Sequence, residues 1–318
     1  MAQIMATEAA QIPVLDFCKG GVGLEQEGSE RWKEMSRKVR KACENHGCFL
    51  LMYGELIPMS LRDEMLMATK ALFDLPEDIK QKHRSSKPYC SYSGNCSVIP
   101  LSQSFGINDT TNLNAAQAFT NLMWPQGNPR FCETINSMSS KMLELNFIVL
   151  RMILESFGIE KYYDSQVANT ANVFRLMKYK VPPNDDAAIG LVPHTDKNIL
   201  TLLFQNDVQG LEVLTKEGNW VQVEIPEGSF VVMVGDALKA WSNGRLYAAR
   251  HRVTMRGDKE RYSAGLFLLP KEEMVIEVPQ EFIDKDHPLL YRPFKYADYL
   301  TYFVSNVSDD ALEIYAGV

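Results

Sequence analysis

The chain has 318 residues, 46% hydrophobic and 23% charged, the balance of an ordinary globular protein rather than a disordered or fibrous one. A net charge of −7 argues against a nucleic acid or an anionic membrane as partner. No apolar run reaches the ~18 residues of a transmembrane helix. The densest basic group, Lys33, Arg37, Lys38, Arg40 and Lys41, reads as the solvated side of a helix. Met1 to Phe17 lacks the basic start and apolar core of an export signal. A cytoplasmic protein is therefore expected, with Cys18, Cys43, Cys48, Cys90, Cys96 and Cys132 as thiols. None falls in a CxxC pattern, and Cys90 with Cys96 could close a loop only in an oxidising compartment.

In chain order, residues 1–10 are small and polar and read as disordered. Ile12 to Phe17 reads as a short strand. Gly20-Gly21-Val22-Gly23 reads as a loop, without the strand-then-helix frame of a phosphate cradle. From Ser29 to Asn45 the residues Trp32, Met35, Val39 and Ala42 recur at helical spacing, and Gly47 stops the helix. Cys48 to Met52 reads as a buried strand, Pro58 to Phe73 as a second helix, and Leu75-Pro76-Glu77 as the start of a short third. Lys87 to Asn114 is the least regular stretch. It reads either as a substrate-facing loop carrying Tyr89, Tyr92, Val98 and Phe105 or as a surface loop. Cys132 to Phe157 is the longest helix. Its stripe of Ile135, Met138, Met142, Leu145, Ile148 and Met152 suits a core, and Gly158 caps it.

From Val173 the period becomes strand-like. Candidate strands are Val173 to Val181, Leu191 to His194, Leu200 to Asn206, Leu211 to Leu214, Trp220 to Val223, Ser229 to Gly235, Tyr247 to Met255, Arg261 to Leu269 and Met274 to Val278. Turn signals separate them, among them Pro182-Pro183-Asn184-Asp185 and Asn243-Gly244. Pro293 to Val304 returns to helix, placed to cover a barrel mouth. The expected fold is mainly β with α: a double-stranded β-helix, or jelly roll, flanked by N-terminal helices and a C-terminal helix. Residues 1–125 form the N-terminal helical region; residues 126–318 hold the long support helix, the jelly roll and the C-terminal helix. Both are expected to fold as one unit.

The chemistry concentrates in His194-Thr195-Asp196, His251 and Arg261-Tyr262-Ser263. Each part alone is weak, since Arg84-Ser85-Ser86 is a second Arg-x-Ser with no metal motif beside it. The ordered set is the signal. On a strand, residues two apart share a face. Two imidazoles and one carboxylate would occupy one face of an octahedral metal and leave three positions open, the facial triad of non-haem Fe(II) oxygenases. Zn or Mn would accept the same donors. Arg261 and Ser263 share a strand face, and a guanidinium matches a carboxylate in a two-bond fork.

Together with Tyr179 and His251-Arg252-Val253, these motifs resemble the plant 2-oxoglutarate/Fe(II)-dependent dioxygenases. Ile12-Pro13-Val14-Leu15-Asp16-Phe17, His46-Gly47-Cys48-Phe49 and Leu72-Phe73-Asp74-Leu75-Pro76-Glu77 resemble that family's N-terminal region, so the likeness spans nearly the whole chain. Within the family it is similar to the alkenyl-hydroxyalkyl-producing (glucosinolate-type) branch, whose relatives include steroidal-alkaloid hydroxylases. The resemblance implies Fe(II) on His194, Asp196 and His251. It implies the distal carboxylate of 2-oxoglutarate on Arg261 and Ser263, with Tyr179 also touching the co-substrate, O2 as oxidant and ascorbate as reductant. Met177 stands where many relatives have Asn two positions before this tyrosine. The implied reaction decarboxylates 2-oxoglutarate to succinate and CO2 and removes a substrate hydrogen. An intact Asp196 argues for hydroxylation, desaturation or dealkylation rather than halogenation. The implied substrate is a small metabolite, such as an alkaloid, steroid or glucosinolate. Expected wall residues are Phe105, Phe174, Thr195, Lys197, Phe267 and Phe294, with sheet core as the alternative for Phe174 and Phe267. A monomer is expected. An ascorbate-dependent oxidase of the same fold and a non-enzymatic metal-binding jelly roll are the competing readings.

Overall fold

The computed structural model describes residues 12–17, 27–52, 57–183 and 186–318. The expected disorder of residues 1–10, the Gly20-Gly21-Val22-Gly23 loop, Cys18 and the Asn184-Asp185 part of one turn lie outside them. The N-terminal half runs β1 (Val14–Asp16), α1 (Glu30–Asn45), β2 (Cys48–Met52), α2 (Met59–Phe73), α3 (Glu77–Lys80), β3 (Tyr92–Ser93), β4 (Ser102–Asn108), α4 (Leu113–Met123), α5 (Pro129–Ser156) and α6 (Tyr163–Ala168). The rest runs β5 (Thr170–Tyr179), β6 (Ala188–His194), β7 (Leu200–Gln205), β8 (Leu211–Leu214), β9 (Trp220–Gln222), β10 (Ser229–Val234) and α7 (Asp236–Trp241). It closes with β11 (His251–Met255), β12 (Arg261–Pro270), β13 (Val275–Ile276), β14 (Phe294–Lys295), α8 (Tyr296–Ser305) and α9 (Ala311–Ala316).

Local chemistry sets the helix ends. The Ser29 hydroxyl accepts from the Trp32 N–H at 3.2 Å and caps α1. Gly47 ends α1 at φ +67°, and its N–H donates to the Ala42 carbonyl. A Cβ at Gly47 would stand 2.2 Å from the Tyr247 carbonyl oxygen, so only glycine lets the chain turn into β2 here. α5 begins on the Asn128 cap with Pro129 in its first turn.

A large sheet, ordered β1-β2-β10-β7-β12-β5-β4-β3, faces a smaller one, ordered β6-β11-β8-β9. Strand alternation sorts the side chains. In β2, Phe49 and Leu51 join the helix-side core, while Cys48 and Leu50 pack toward the smaller sheet. In β10, Phe230, Val232 and Val234 point one way and Val231 and Met233 the other. α5 packs across the outer side of the large sheet together with α1, α2 and α4. This is a double-sheet jelly roll with helices on one face, as the strand spacing implies. Cys43, Cys48, Cys90, Cys96 and Cys132 are free thiols.

One stretch differs from the sequence expectation. The Lys87 to Asn114 segment is not one irregular loop: β4 within it pairs along seven residues with β5, from Ser102 opposite Tyr179 to Asn108 opposite Val173. Its sequence, SQSFGIN, is too polar to read as a buried strand, yet the pairing satisfies its backbone. The first 125 residues therefore supply β1 to β4 to the large sheet as well as helices.

Candidate metal centre and its cavity

His194 ends β6 and His251 begins β11, and the two are direct partners in the antiparallel ladder. Direct partners bring side chains together, and the two imidazole rings lie 4.3 Å apart, centre to centre. Asp196 lies two residues beyond the end of β6, not on the strand itself. Its position comes from the turn instead: the Asp236 N–H donates to the Asp196 carbonyl at 2.8 Å. Asp196 Oδ1 then stands 3.8 Å from His194 Nε2 and 3.9 Å from His251 Nε2. One donor atom from each residue falls within 4.8 Å of the others, a grouping that could hold a metal ion.

The surrounding bonds leave those three atoms free. Each histidine uses Nδ1 toward a backbone carbonyl two residues back, His194 to Val192 at 2.8 Å and His251 to Ala249 at 3.1 Å. That choice presents Nε2 as a lone pair. Asp196 Oδ2 accepts from the Thr201 hydroxyl, which itself accepts from Asn198 Nδ2 at 2.9 Å. Withdrawal from water and the neighbouring His251 push His194 down to about 3, so its ring is neutral near pH 7. Burial pushes the Asp196 carboxyl up, but the imidazoles and the Thr201 hydroxyl outweigh it and keep the group ionised. Two neutral imidazole nitrogens and one carboxylate oxygen suit Fe(II), as they suit other borderline divalent metals.

Arg261 and Tyr179 are direct partners across β12 and β5. The guanidinium carbon lies 5.1 Å from the Tyr179 ring centre. Arg261 is 1% exposed, and no acidic side chain pairs with it among the described residues. Gln205 Oε1 accepts from its Nε at 3.0 Å and its Nη2 at 2.7 Å, and Ser263 Oγ lies 3.5 Å from Nη1. Met177 joins Leu101, Tyr179, Val253 and Met255 in an apolar cluster between the sheets, so no amide supplies a polar contact at that point. A buried cation without a counter-charge is costly. These residues thus fit an anionic ligand, and the free Nη1/Nη2 end of the fork fits a carboxylate.

A cavity of about 500 Å³ opens beside His194 and Asp196. Of the expected wall residues, Thr195, Lys197 and Phe267 line it. Phe105, Phe174 and Phe294 do not, which corrects the expectation. Phe105 is buried on the helix side of the large sheet against Phe73, Tyr92 and Phe119. Phe174 is fully buried in the same core, since alternation along β5 turns it away from the cavity that its neighbours Val173 and Arg175 line. Phe294 packs against Tyr299 and Tyr315 beneath α8. Arg175, Tyr296, Phe303 and the Val307–Asp309 turn also line the cavity, and residue patterns alone gave no sign of them. Tyr89, from the irregular stretch, does face it. Lys197 is held by Asp236 at 2.7 Å, and Asp236 also accepts from the Tyr299 hydroxyl at 2.7 Å.

Comparison with known proteins agrees with this geometry. Residues 164–270 match the family described as the 2OG-Fe(II) oxygenase superfamily, and residues 12–126 match the N-terminal region of the non-haem dioxygenases of morphine synthesis. The chain is 42% identical over 316 residues to the probable 2-oxoglutarate-dependent dioxygenase AOP1 of Arabidopsis thaliana, covering 96% of each. It is 29% identical to the 2-oxoglutarate-dependent dioxygenase AOP2 of the same plant, over 95% of this chain and 96% of that one. Among solved structures, the rice dioxygenase for auxin oxidation superposes with a TM-score of 0.82 at 32% identity, covering 96% of this chain and all of that one. Full-length similarity at this level, on a jelly roll that gathers two histidines and an aspartate, makes the chain a member of the 2-oxoglutarate/Fe(II)-dependent dioxygenase family.

Proposed function

We propose that His194, Asp196 and His251 hold the iron of this dioxygenase, and that Arg261, Ser263 and Tyr179 hold the co-substrate. The observation that carries the assignment is the convergence of the three donor atoms within 4.8 Å at the cavity wall. When bound, Fe(II) with 2-oxoglutarate and O2 supplies the oxidising chemistry and releases succinate and CO2, with ascorbate as reductant. The protein's own share is placement. The Val192 and Ala249 carbonyls fix both imidazoles, and Thr201 fixes the carboxylate. The Arg261 fork would hold the distal carboxylate of the co-substrate.

The reaction proposed is hydroxylation of a small organic metabolite of specialised metabolism; desaturation or dealkylation would begin with the same hydrogen abstraction. A cavity of about 500 Å³ with mostly apolar walls supports a substrate of that size. The same reading takes the protein as a cytoplasmic monomer folding as one unit. No helix of the described residues is long and apolar enough to cross a membrane. Anaerobic addition of Fe(II) and 2-oxoglutarate should give a weak visible charge-transfer band in the parent and none in Asp196→Ala. A metabolite panel read by mass spectrometry, for gain of one oxygen or loss of two hydrogens coupled to succinate release, tests the reaction type. Well-folded protein with no band, and no difference on Asp196→Ala, would sink the assignment.

A further inference from the structure

Arg175 is a charged residue for which the proposed chemistry has no use. It sits in β5, and its side chain lines the cavity beside His194 and Asp196. Its guanidinium carbon lies 5.4 Å from the Phe267 ring centre and 5.8 Å from that of Tyr89. Among the described residues it makes one hydrogen bond, from Nη2 to Ser104 Oγ at 3.4 Å, while its Nε is buried with no partner. No acidic side chain among them pairs with it.

The other charges of the wall are accounted for. Lys197 pairs with Asp236 at 2.7 Å, Asp309 with Arg250 at 2.5 Å, and Asp196 faces the metal position. Tyr296 also lines the cavity, but its hydroxyl is closed off from the open space and has no hydrogen-bond partner. A second sign is local strain. Tyr89 stands at φ +63°, which a bulky side chain adopts only when its surroundings hold it there. Gly106 makes that possible, because a Cβ at its position would lie 1.6 Å from the Tyr89 carbonyl oxygen. An aromatic ring thus lies over a guanidinium at the wall of a largely apolar cavity. A cation at such a wall without an acidic partner is costly, and an oxyanion in the cavity would satisfy Arg175.

We propose that Arg175 binds an oxyanion of the substrate, so that the molecule oxidised here is a small organic acid with an apolar body. Its anionic end lies on Arg175 and its reacting carbon turns toward the His194, Asp196 and His251 centre. The inference rests on reading that centre as the iron and 2-oxoglutarate site. Carboxylate and sulfate esters share the required chemistry.

The test uses the anaerobic Fe(II) complex with 2-oxoglutarate and a probe series. The probes are phenylalkanoic acids from phenylacetate to 5-phenylpentanoate, the matching sulfonates, and the matching neutral primary amides. Binding is measured by isothermal titration and by perturbation of the visible band. At least one acid or sulfonate should bind about tenfold or more tighter than its amide, and which of the two binds better identifies the oxyanion. Arg175→Gln should shrink that preference to about twofold or less, and Arg175→Lys should restore part of it. Equal binding of acids and amides, no binding of any acid or sulfonate, or a preference that survives in Arg175→Gln overturns the proposal. So does loss of 2-oxoglutarate binding in Arg175→Gln, which would give this arginine to the co-substrate. A parent that forms no complex with 2-oxoglutarate at all would instead overturn the underlying reading of the metal centre.

Discussion

Replacing Arg261 should separate ligand binding from folding. A guanidinium has five N–H donors, and Gln205 takes one on Nε and one on Nη2. The Nη1/Nη2 end is left for a carboxylate, with the Ser263 hydroxyl beside it. Two charge-assisted bonds in a buried place are together worth about 3–5 kcal/mol, which is roughly a hundred- to a thousandfold or more in Kd. Arg261→Met should weaken 2-oxoglutarate binding by that factor, and Ser263→Ala by about tenfold or more. The apo protein should behave differently. The native cation is 1% exposed with no acidic partner among the described residues, so removing it deletes a desolvated charge rather than a salt bridge. Apo Arg261→Met should therefore melt within a few degrees of the parent. Saturating 2-oxoglutarate at about 100 times its Kd should stabilise the parent by about 2.7 kcal/mol and leave the variant unmoved. Titration of the visible band gives the affinities, and calorimetry with and without 2-oxoglutarate gives the stabilities. A folded Arg261→Met variant that binds 2-oxoglutarate within about threefold of the parent would refute the assignment of this guanidinium.

Three further outcomes follow from the same geometry. Thr201→Val removes the hydroxyl that steadies Asp196 Oδ2 and should weaken Co(II) or Mn(II) binding by roughly ten- to a hundredfold without 2-oxoglutarate present, as read by metal titration. Glu212 is 5% exposed and accepts from Arg252 Nε at 2.6 Å, Thr254 Oγ1 at 2.9 Å and Arg256 Nη2 at 3.0 Å, tying β8 to β11. Burial pushes this carboxyl up, but the three donors outweigh it and hold it below its usual value. Its stabilising effect is therefore complete above the ordinary glutamate range and is lost as pH falls below it. Glu212→Gln should cost about 2–3 kcal/mol at pH 7, less than a fully buried pair because Arg256 is half exposed, and the gap to the parent should narrow as urea melts are run at lower pH. Gly47→Ala places a Cβ 2.2 Å from the Tyr247 carbonyl oxygen at a positive φ and should cost about 2 kcal/mol or more in the same melts.

Much of this architecture is written in the order of residues. The short apolar runs Cys48–Met52 and Ser229–Val234, the Ser29 cap and the Gly47 stop are local signals, and each acts through its own few neighbours. The motif His194-Thr195-Asp196, the distant His251 and the pair Arg261 and Ser263 were legible because a metal face and a carboxylate fork each demand particular side chains. What the motif left open is how Asp196 arrives, since β6 ends at His194 and the turn, not the strand, aims the carboxylate. The substrate side was hidden for a related reason. Phe105, Phe174 and Phe294 have the composition of a pocket wall, and only the packing of β4, β5 and α8 shows that they face the core. Arg175, Tyr89 and Tyr296 carry no pattern of their own. They come from separate stretches of chain and meet at one cavity wall only after folding.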